Sequence, residues 1–323
     1  MESALRLRGI SKTFGPTLAV QQMDLDVPRG ALYGFIGPNG AGKTTCIRMI
    51  MSILFPDSGE LSVLGHASAL EAKDRIGYLP EERGVYRKMR VGAFLTYIGR
   101  LKGLSSGAAA ARGRQLLERV RLAETIDKRC EDLSKGMLQR VQIAATIINE
   151  PDLLILDEPF SGLDPVSVRL LRDLIVEEHR RGTTILFSTH VMAHAEELCQ
   201  HVVMIHRGRK VLDEPTSALR RRFDTRTIRF EPFDPDAEIQ PVRVLPGVET
   251  VEQTETGYEV RLTAGSDAGR VMRTITDLVP VARIELARVR LDDIFIGLVS
   301  EGETVDASLR ASLRGLHPEG VTV

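Results

Sequence analysis

The segment Gly37-Pro38-Asn39-Gly40-Ala41-Gly42-Lys43-Thr44 sets two glycines, Gly37 and Gly42, with four residues between them and follows them with a lysine and a threonine. This is the phosphate-loop pattern. The glycines let the backbone curl so that its N–H groups face the β- and γ-phosphates of a nucleotide. Lys43 brings a point charge to those phosphates, and the Thr44 hydroxyl is a ligand for Mg²⁺. A second element, Leu153-Leu154-Ile155-Leu156-Asp157-Glu158, ends an apolar run in two acids. Four apolar residues predict a buried strand, and Asp157 emerges at its carboxyl end, where ligands sit in open α/β sheets. From there it would hold Mg²⁺ through water. Glu158, one residue on, is placed to take a proton from an attacking water.

Two further pieces narrow the choice among phosphate-loop enzymes. Leu133-Ser134-Lys135-Gly136-Met137 opens a predicted helix running to about Asn149, and Thr189-His190 follows a predicted strand, Thr184 to Ser188. With these in order, residues 5–215 resemble the ATP-binding cassette (ABC) ATPases. The resemblance implies ATP and Mg²⁺ as cofactors and a nucleotide-binding run from Gly37 through Thr45. It makes Phe14 the aromatic that stacks on adenine and His190 a catalytic residue, the switch histidine that contacts the γ-phosphate. Ser134 and Gly136 would grip the nucleotide of a second cassette in trans. Ser161 and Asp164, in Ser161-Gly162-Leu163-Asp164, would form the loop that signals across the dimer.

Three positions in two motifs depart from the commonest cassette pattern. Lys135 and Met137 stand where Leu-Ser-Gly-Gly-Gln would place glycine and glutamine. In Tyr78-Leu79-Pro80-Glu81-Glu82-Arg83, Glu81 replaces a frequent glutamine. Glu81 can still offer an oxygen to Mg²⁺, at the cost of more negative charge near the phosphates. Both variants resemble those of a subgroup that energises export of drugs, antibiotics or sodium. The end of the chain, Arg290 to Val299, resembles the closing helix of the small extra domain carried by many such ATPases.

The elements that must position these residues are an α/β phosphate-loop cassette with a mainly parallel sheet and a helical insert. Ala31–Ile36, Leu153–Leu156 and Thr184–Phe187 are short apolar runs and predict buried central strands. Met23, Leu25 and Val27 alternate with polar residues as in a half-exposed strand. Between about residues 84 and 150 the pattern is helical, with Leu116, Leu117, Val120 and Leu122 on one side of a predicted helix. The cassette is expected to span residues 1–219. After it, residues 220–303 predict a small α+β domain, with strands at Thr250–Gln253 and Tyr258–Leu262 and a helix at Asp267–Leu278. Residues 304–323 are polar and predict a flexible tail.

The chain of 323 residues carries 43 Lys+Arg against 44 Asp+Glu, a formal charge of −1, and 43% hydrophobic residues. That balance is globular and argues against a broad nucleic-acid-binding surface. Three scattered cysteines fit a reducing compartment. No apolar run is long enough for a membrane span, and Met1 to Arg6 predicts no signal peptide. The cassette resemblance then implies the ATPase subunit of a transporter, a homodimer working on a separate transmembrane permease in the direction of export. Such a subunit would sit at the cytoplasmic face of a bacterial membrane. A soluble cassette ATPase acting on nucleic acid or ribosomes is the alternative; those usually carry two cassettes or a coiled-coil insert. A plain kinase or GTPase leaves Leu133 to Gly136 unexplained.

Overall fold

A computed structural model describes residues 2–82, 84–222, 226–287 and 290–299. The polar end predicted at 304–323 lies outside the described residues. The chain divides into two compact units, Met1–Thr216 and Ser217–Val323.

The first unit is built on two sheets. Strands β1 (Ser3–Phe14), β2 (Thr17–Pro28), β3 (Leu32–Ile36), β4 (Ser58–Val63), β5 (Ile76–Leu79), β6 (Leu153–Asp157), β7 (Thr184–Thr189), β8 (His201–His206) and β9 (Arg209–Pro215) alternate with helices α1 (Lys43–Ile50), α2 (Val91–Leu101), α3 (Ser106–Arg119), α4 (Lys135–Thr146), α5 (Pro165–Arg180) and α6 (Met192–Leu198). The main sheet has the order β5-β6-β7-β3-β8-β9, parallel except for β9. The second sheet, β2-β1-β4, is antiparallel, and was not foreseen as a separate layer. β3, β6 and β7 are buried at every position, as their apolar runs predict. In β2 the alternation holds, with Met23, Leu25 and Val27 facing inward. The core forms where Cys46, Ile47, Met49 and Ile50 of α1 pack among residues of both sheets, including Leu5, Met23, Phe35 and Ile155. Each large apolar side chain buried there contributes on the order of 1.5–3 kcal/mol.

Helices α2, α3 and α4 form the insert. Leu116, Leu117, Val120 and Leu122 are all buried, so the predicted apolar side is the packed one. Short polar side chains start two of these helices: Ser105 caps α3 and Ser134 caps α4, each accepting from a backbone N–H three residues on. Asp164 does the same for α5, with Pro165 in its first turn.

Helix α7 (Thr216–Arg222) lies at the boundary between the units. The second unit holds β10 (Thr227–Pro232), α8 (Gln240–Arg243), β11 (Val248–Gln253), β12 (Tyr258–Leu262), α9 (Ala268–Leu278), β13 (Val281–Leu286) and α10 (Leu291–Val299). Its antiparallel sheet runs β11-β12-β10-β13. One face of this sheet supplies Ile228, Phe230, Val260 and Leu262 to a core completed by Val271 and Ile275 of α9. Asp267 caps that helix.

Candidate active site

The parallel order β6-β7-β3 brings three strand ends to one edge, and the register keeps them level: Asp157 pairs with Ser188, and Ile36 with Thr189. The loops that leave these ends carry the chemistry. After β3 the chain enters the Gly37–Gly42 turn, tied down by a hydrogen bond from the Gly37 N–H to the Thr189 carbonyl. Only glycine fits at two of its positions. A Cβ on Gly37 would lie 2.2 Å from the Ile205 carbonyl oxygen, and one on Gly42 would lie 2.5 Å from that of Ala19. Gly42, with φ 107°, then starts α1 without a side-chain cap, leaving its first N–H groups pointing outward. They give an anion-binding end to α1.

Lys43 is 5% exposed. Its ammonium donates to the Gly37 carbonyl at 2.7 Å and the Pro38 carbonyl at 3.1 Å, and lies 3.5 Å from Glu158 Oε1. Glu158 itself is 6% exposed and has φ 48°, a left-handed conformation that non-glycine residues rarely hold. Its Oε2 accepts from His190 Nδ1 at 3.0 Å, while Oε1 is buried with no hydrogen-bond donor. Asp157 is fully buried; Oδ1 accepts from the Ser188 hydroxyl, and Oδ2 is buried without a hydrogen-bond partner. Burial pushes the Asp157 carboxyl above the ordinary carboxylate range, against the pull of the Ser188 and Thr44 hydroxyls. The same desolvation, with Asp157 nearby, holds the Tyr78 phenol up at about 12.

A concavity of about 220 Å³ opens on this group, lined by Asn39, Gly40, Gly42, Lys43, Thr44 and Thr45 from the phosphate loop, with Ala19, Glu81 and Glu158. Sequence reasoning therefore names most of its walls. Pro38 and Ala41 shape the loop without lining the cavity; the Ala41 N–H donates to the Pro38 carbonyl. Phe14 lies outside this lining, 49% exposed at the end of β1, with the Lys12 ammonium 5.8 Å from its ring centre. Ser134 and Gly136 also lie outside it, at the start of α4. Gly136 packs against the segment from Leu163 to Ser167, where a Cβ would meet Ser167 Oγ at 3.2 Å and Asp164 Oδ2 at 3.3 Å. Ser161 lines a second cavity beside the first.

Ser188 is the site residue that sequence reasoning missed. Its hydroxyl donates to Asp157 and accepts from the Glu158 N–H at 3.1 Å, so it fixes both acids from the neighbouring strand. A hydroxyl directly after the apolar run Ile185–Phe187 and before Thr189-His190 is the available signal. The donor set suits a hard cation: a threonine hydroxyl and carboxylate oxygens, with Asp157 Oδ2 lacking a partner. Among the described residues no group of three or more His, Cys, Asp or Glu could hold a metal ion unaided. This pattern fits Mg²⁺ shared with phosphates, the usual arrangement for that ion.

Comparison with known proteins agrees with this geometry. The ABC transporter family profile matches residues 20–161, and the profile described as ATP-binding protein DrrA1-3-like, C-terminal domain, matches residues 215–299. An ABC transporter ATP-binding protein of Bacillus subtilis (strain 168), YhaQ, is 35% identical over 292 residues, covering 90% of this chain and 97% of that protein. The daunorubicin/doxorubicin resistance ATP-binding protein DrrA of Streptomyces peucetius is 32% identical over 303 residues, 91% of this chain and 92% of DrrA. Nod factor export ATP-binding protein I of Cupriavidus metallidurans is 40% identical over 216 residues, 66% of this chain and 71% of that one. Among solved structures, the ATP-binding subunit of an ABC transporter superposes with a TM-score of 0.63 at 31% identity, covering 68% of this chain and 93% of that chain. Phosphate loop, paired strand-end acids, insert and accessory domain thus occur in one order, and the chain belongs to the ABC transporter ATP-binding proteins, the ATPases coupled to transport.

Proposed function

We propose that this chain is the ATPase subunit of an exporter, working as one of two identical cassettes that close on two ATP molecules and drive a separate transmembrane permease from the cytoplasmic face. Among the described residues no helix is long and apolar enough to cross a membrane, which supports a permease on another chain. Export is supported by the relatives whose names state drug resistance and Nod factor export. The reading as an ATPase acting on nucleic acid or ribosomes has no observation in its favour.

One observation carries the site assignment: the buried pair Lys43–Glu158, with the exposed His190 against the second carboxylate oxygen, at the carboxyl ends of the parallel strands. Lys43 and the phosphate-loop N–H groups bind the β- and γ-phosphates. A phosphate reaching Lys43 competes with Glu158 for the ammonium and releases a carboxylate already held by His190. Glu158 is then the general base toward the attacking water, and His190 keeps it oriented. Thr44 and Asp157 would hold Mg²⁺, with Glu81 as a further oxygen. That ion, when bound, neutralises charge on the phosphates. Phe14 supplies an exposed ring to adenine. Ser134 and Gly136 of one cassette complete the site of the other, and Ser161 and Asp164 stand at the junction. The domain of residues 220–303 is assigned to coupling or dimer stability.

The in-trans site has a direct test. Lys43→Ala and Ser134→Arg chains, each inactive alone, should regain ATP hydrolysis when mixed, since each mixed dimer has one site with both defects and one intact. Wild-type turnover by Ser134→Arg alone, rising linearly with protein concentration, would instead place the whole site within one chain.

A further inference from the structure

Two of the departures from the common cassette pattern, Lys135 and Glu81, line one cavity. A second cavity of about 320 Å³ adjoins the nucleotide concavity; Glu81 and Glu158 line both, and Glu82, Lys135, Gln139 and Ser161 complete the second. It therefore collects three carboxylates and one ammonium. Two of the acids already have cations: Glu158 has Lys43 at 3.5 Å, and Glu82 has Arg48 at 3.8 Å. Among the described residues, Glu81 and Lys135 form no ion pair within 4 Å. They are the two charges of this cavity without a direct counter-ion, and they are opposite in sign. The path of Lys135 is also constrained. It crosses the left-handed residue Gly162 (φ 66°) so closely that a Cβ there would lie 2.1 Å from the Lys135 ammonium and 2.8 Å from its Cε. Gly162 thus leaves room for the lysine to reach the cavity.

We propose that Lys135 is a positioning residue for the ATPase site of its own chain: laid across Gly162, its ammonium offsets the carboxylate of Glu81, the extra negative charge beside the phosphates. This rests on the assignment of the phosphate loop as the ATP site. The glutamine common in other cassettes needs no such offset, so a neutral residue serves them at the position of Lys135.

The prediction is a dependence of one substitution on the other. Lys135→Met should raise the KM for ATP ~2–5-fold, the range spanned by exposed charge pairs, with kcat within twofold of wild type. Lys135→Arg, which keeps the charge, should restore the wild-type KM. On a Glu81→Gln background, Lys135→Met should change KM by less than ~1.3-fold, because the charge to be offset is gone. Equilibrium binding of trinitrophenyl-ATP without added magnesium should show the same pattern, independent of turnover. Wild-type chain that neither binds nor hydrolyses ATP would overturn the ATPase assignment itself. With active wild type, an unchanged KM in Lys135→Met, or an equal loss with and without Glu81, would overturn the role of Lys135 alone.

Discussion

In the unit ending at Thr216, Lys43, Asp157 and Glu158 are 5%, 0% and 6% exposed; in the unit that starts at Ser217, the one buried polar residue among those described is Thr227. On the outer face of the smaller unit's sheet, charges pair across strands, such as Arg229 with Glu259 and Arg283 with Glu231. Such pairs are worth about 0–1 kcal/mol and leave the fold to its apolar core. Buried charge alone does not mark chemistry, however. Glu178, 2% exposed, is also in the larger unit, but Arg119 binds one carboxylate oxygen and Arg181 the other. Asp157 and Glu158 each keep one buried oxygen with no hydrogen bond. A desolvated, incompletely satisfied carboxylate costs stability. Among the buried carboxylates, incomplete satisfaction rather than burial sets Asp157 and Glu158 apart from Glu178.

The comparison breaks most visibly at Lys43. Lys43→Ala should abolish hydrolysis and weaken ATP binding ~10²-fold or more, the scale of losing one member of a buried charge pair, ~3–5 kcal/mol. Equilibrium nucleotide binding checks it; near-normal affinity would remove the phosphate loop from the account. In the smaller unit the equivalent blow must fall on packing. Phe230→Ala, at a residue 1% exposed in its core, should cost that unit ~3–5 kcal/mol. ATP affinity should stay within twofold, since every residue assigned to the nucleotide precedes Ser217. Hydrogen exchange resolved by segment, run beside the binding assay, distinguishes local melting from a shared site.

Asp157→Asn sharpens the contrast with a smaller effect of opposite sign. Burial raises the folded-state pKa of Asp157 above the ordinary value of 3.8, so its ionised form opposes folding at neutral pH. That cost is fully present above the raised pKa and fades as pH falls toward 3.8. The variant should therefore melt above the wild type at pH 8, with a gap that narrows on acidification, while its ATPase activity falls. A lower melting temperature at pH 8 would show that the ionised carboxylate is net stabilising.

The strands that carry the site were legible because β3, β6 and β7 are apolar runs buried on both faces, and such runs are visible without tertiary knowledge. The start of α4 was legible through Ser134, a cap residue in front of a helical pattern. The β2-β1-β4 sheet was not, since only Val63 of β4 is buried and β1 carries several register shifts that disturb its alternation. Within the site, motif residues were legible by type and spacing. Ser188 acts through cross-strand register, and Lys135 reaches its cavity by crossing a left-handed glycine; neither is written in local periodicity.

The central claim is that Glu158, held between Lys43 and His190, is the base that activates water. Glu158→Gln keeps the shape of the side chain while removing its ability to take a proton. Single-turnover hydrolysis, measured alongside ATP binding, should show bound ATP retained and the chemical step slowed by ~10²–10⁴-fold, the usual worth of general acid–base catalysis. A chemical step at the wild-type rate, with ATP bound normally, would contradict the claim and move the proton to another acceptor.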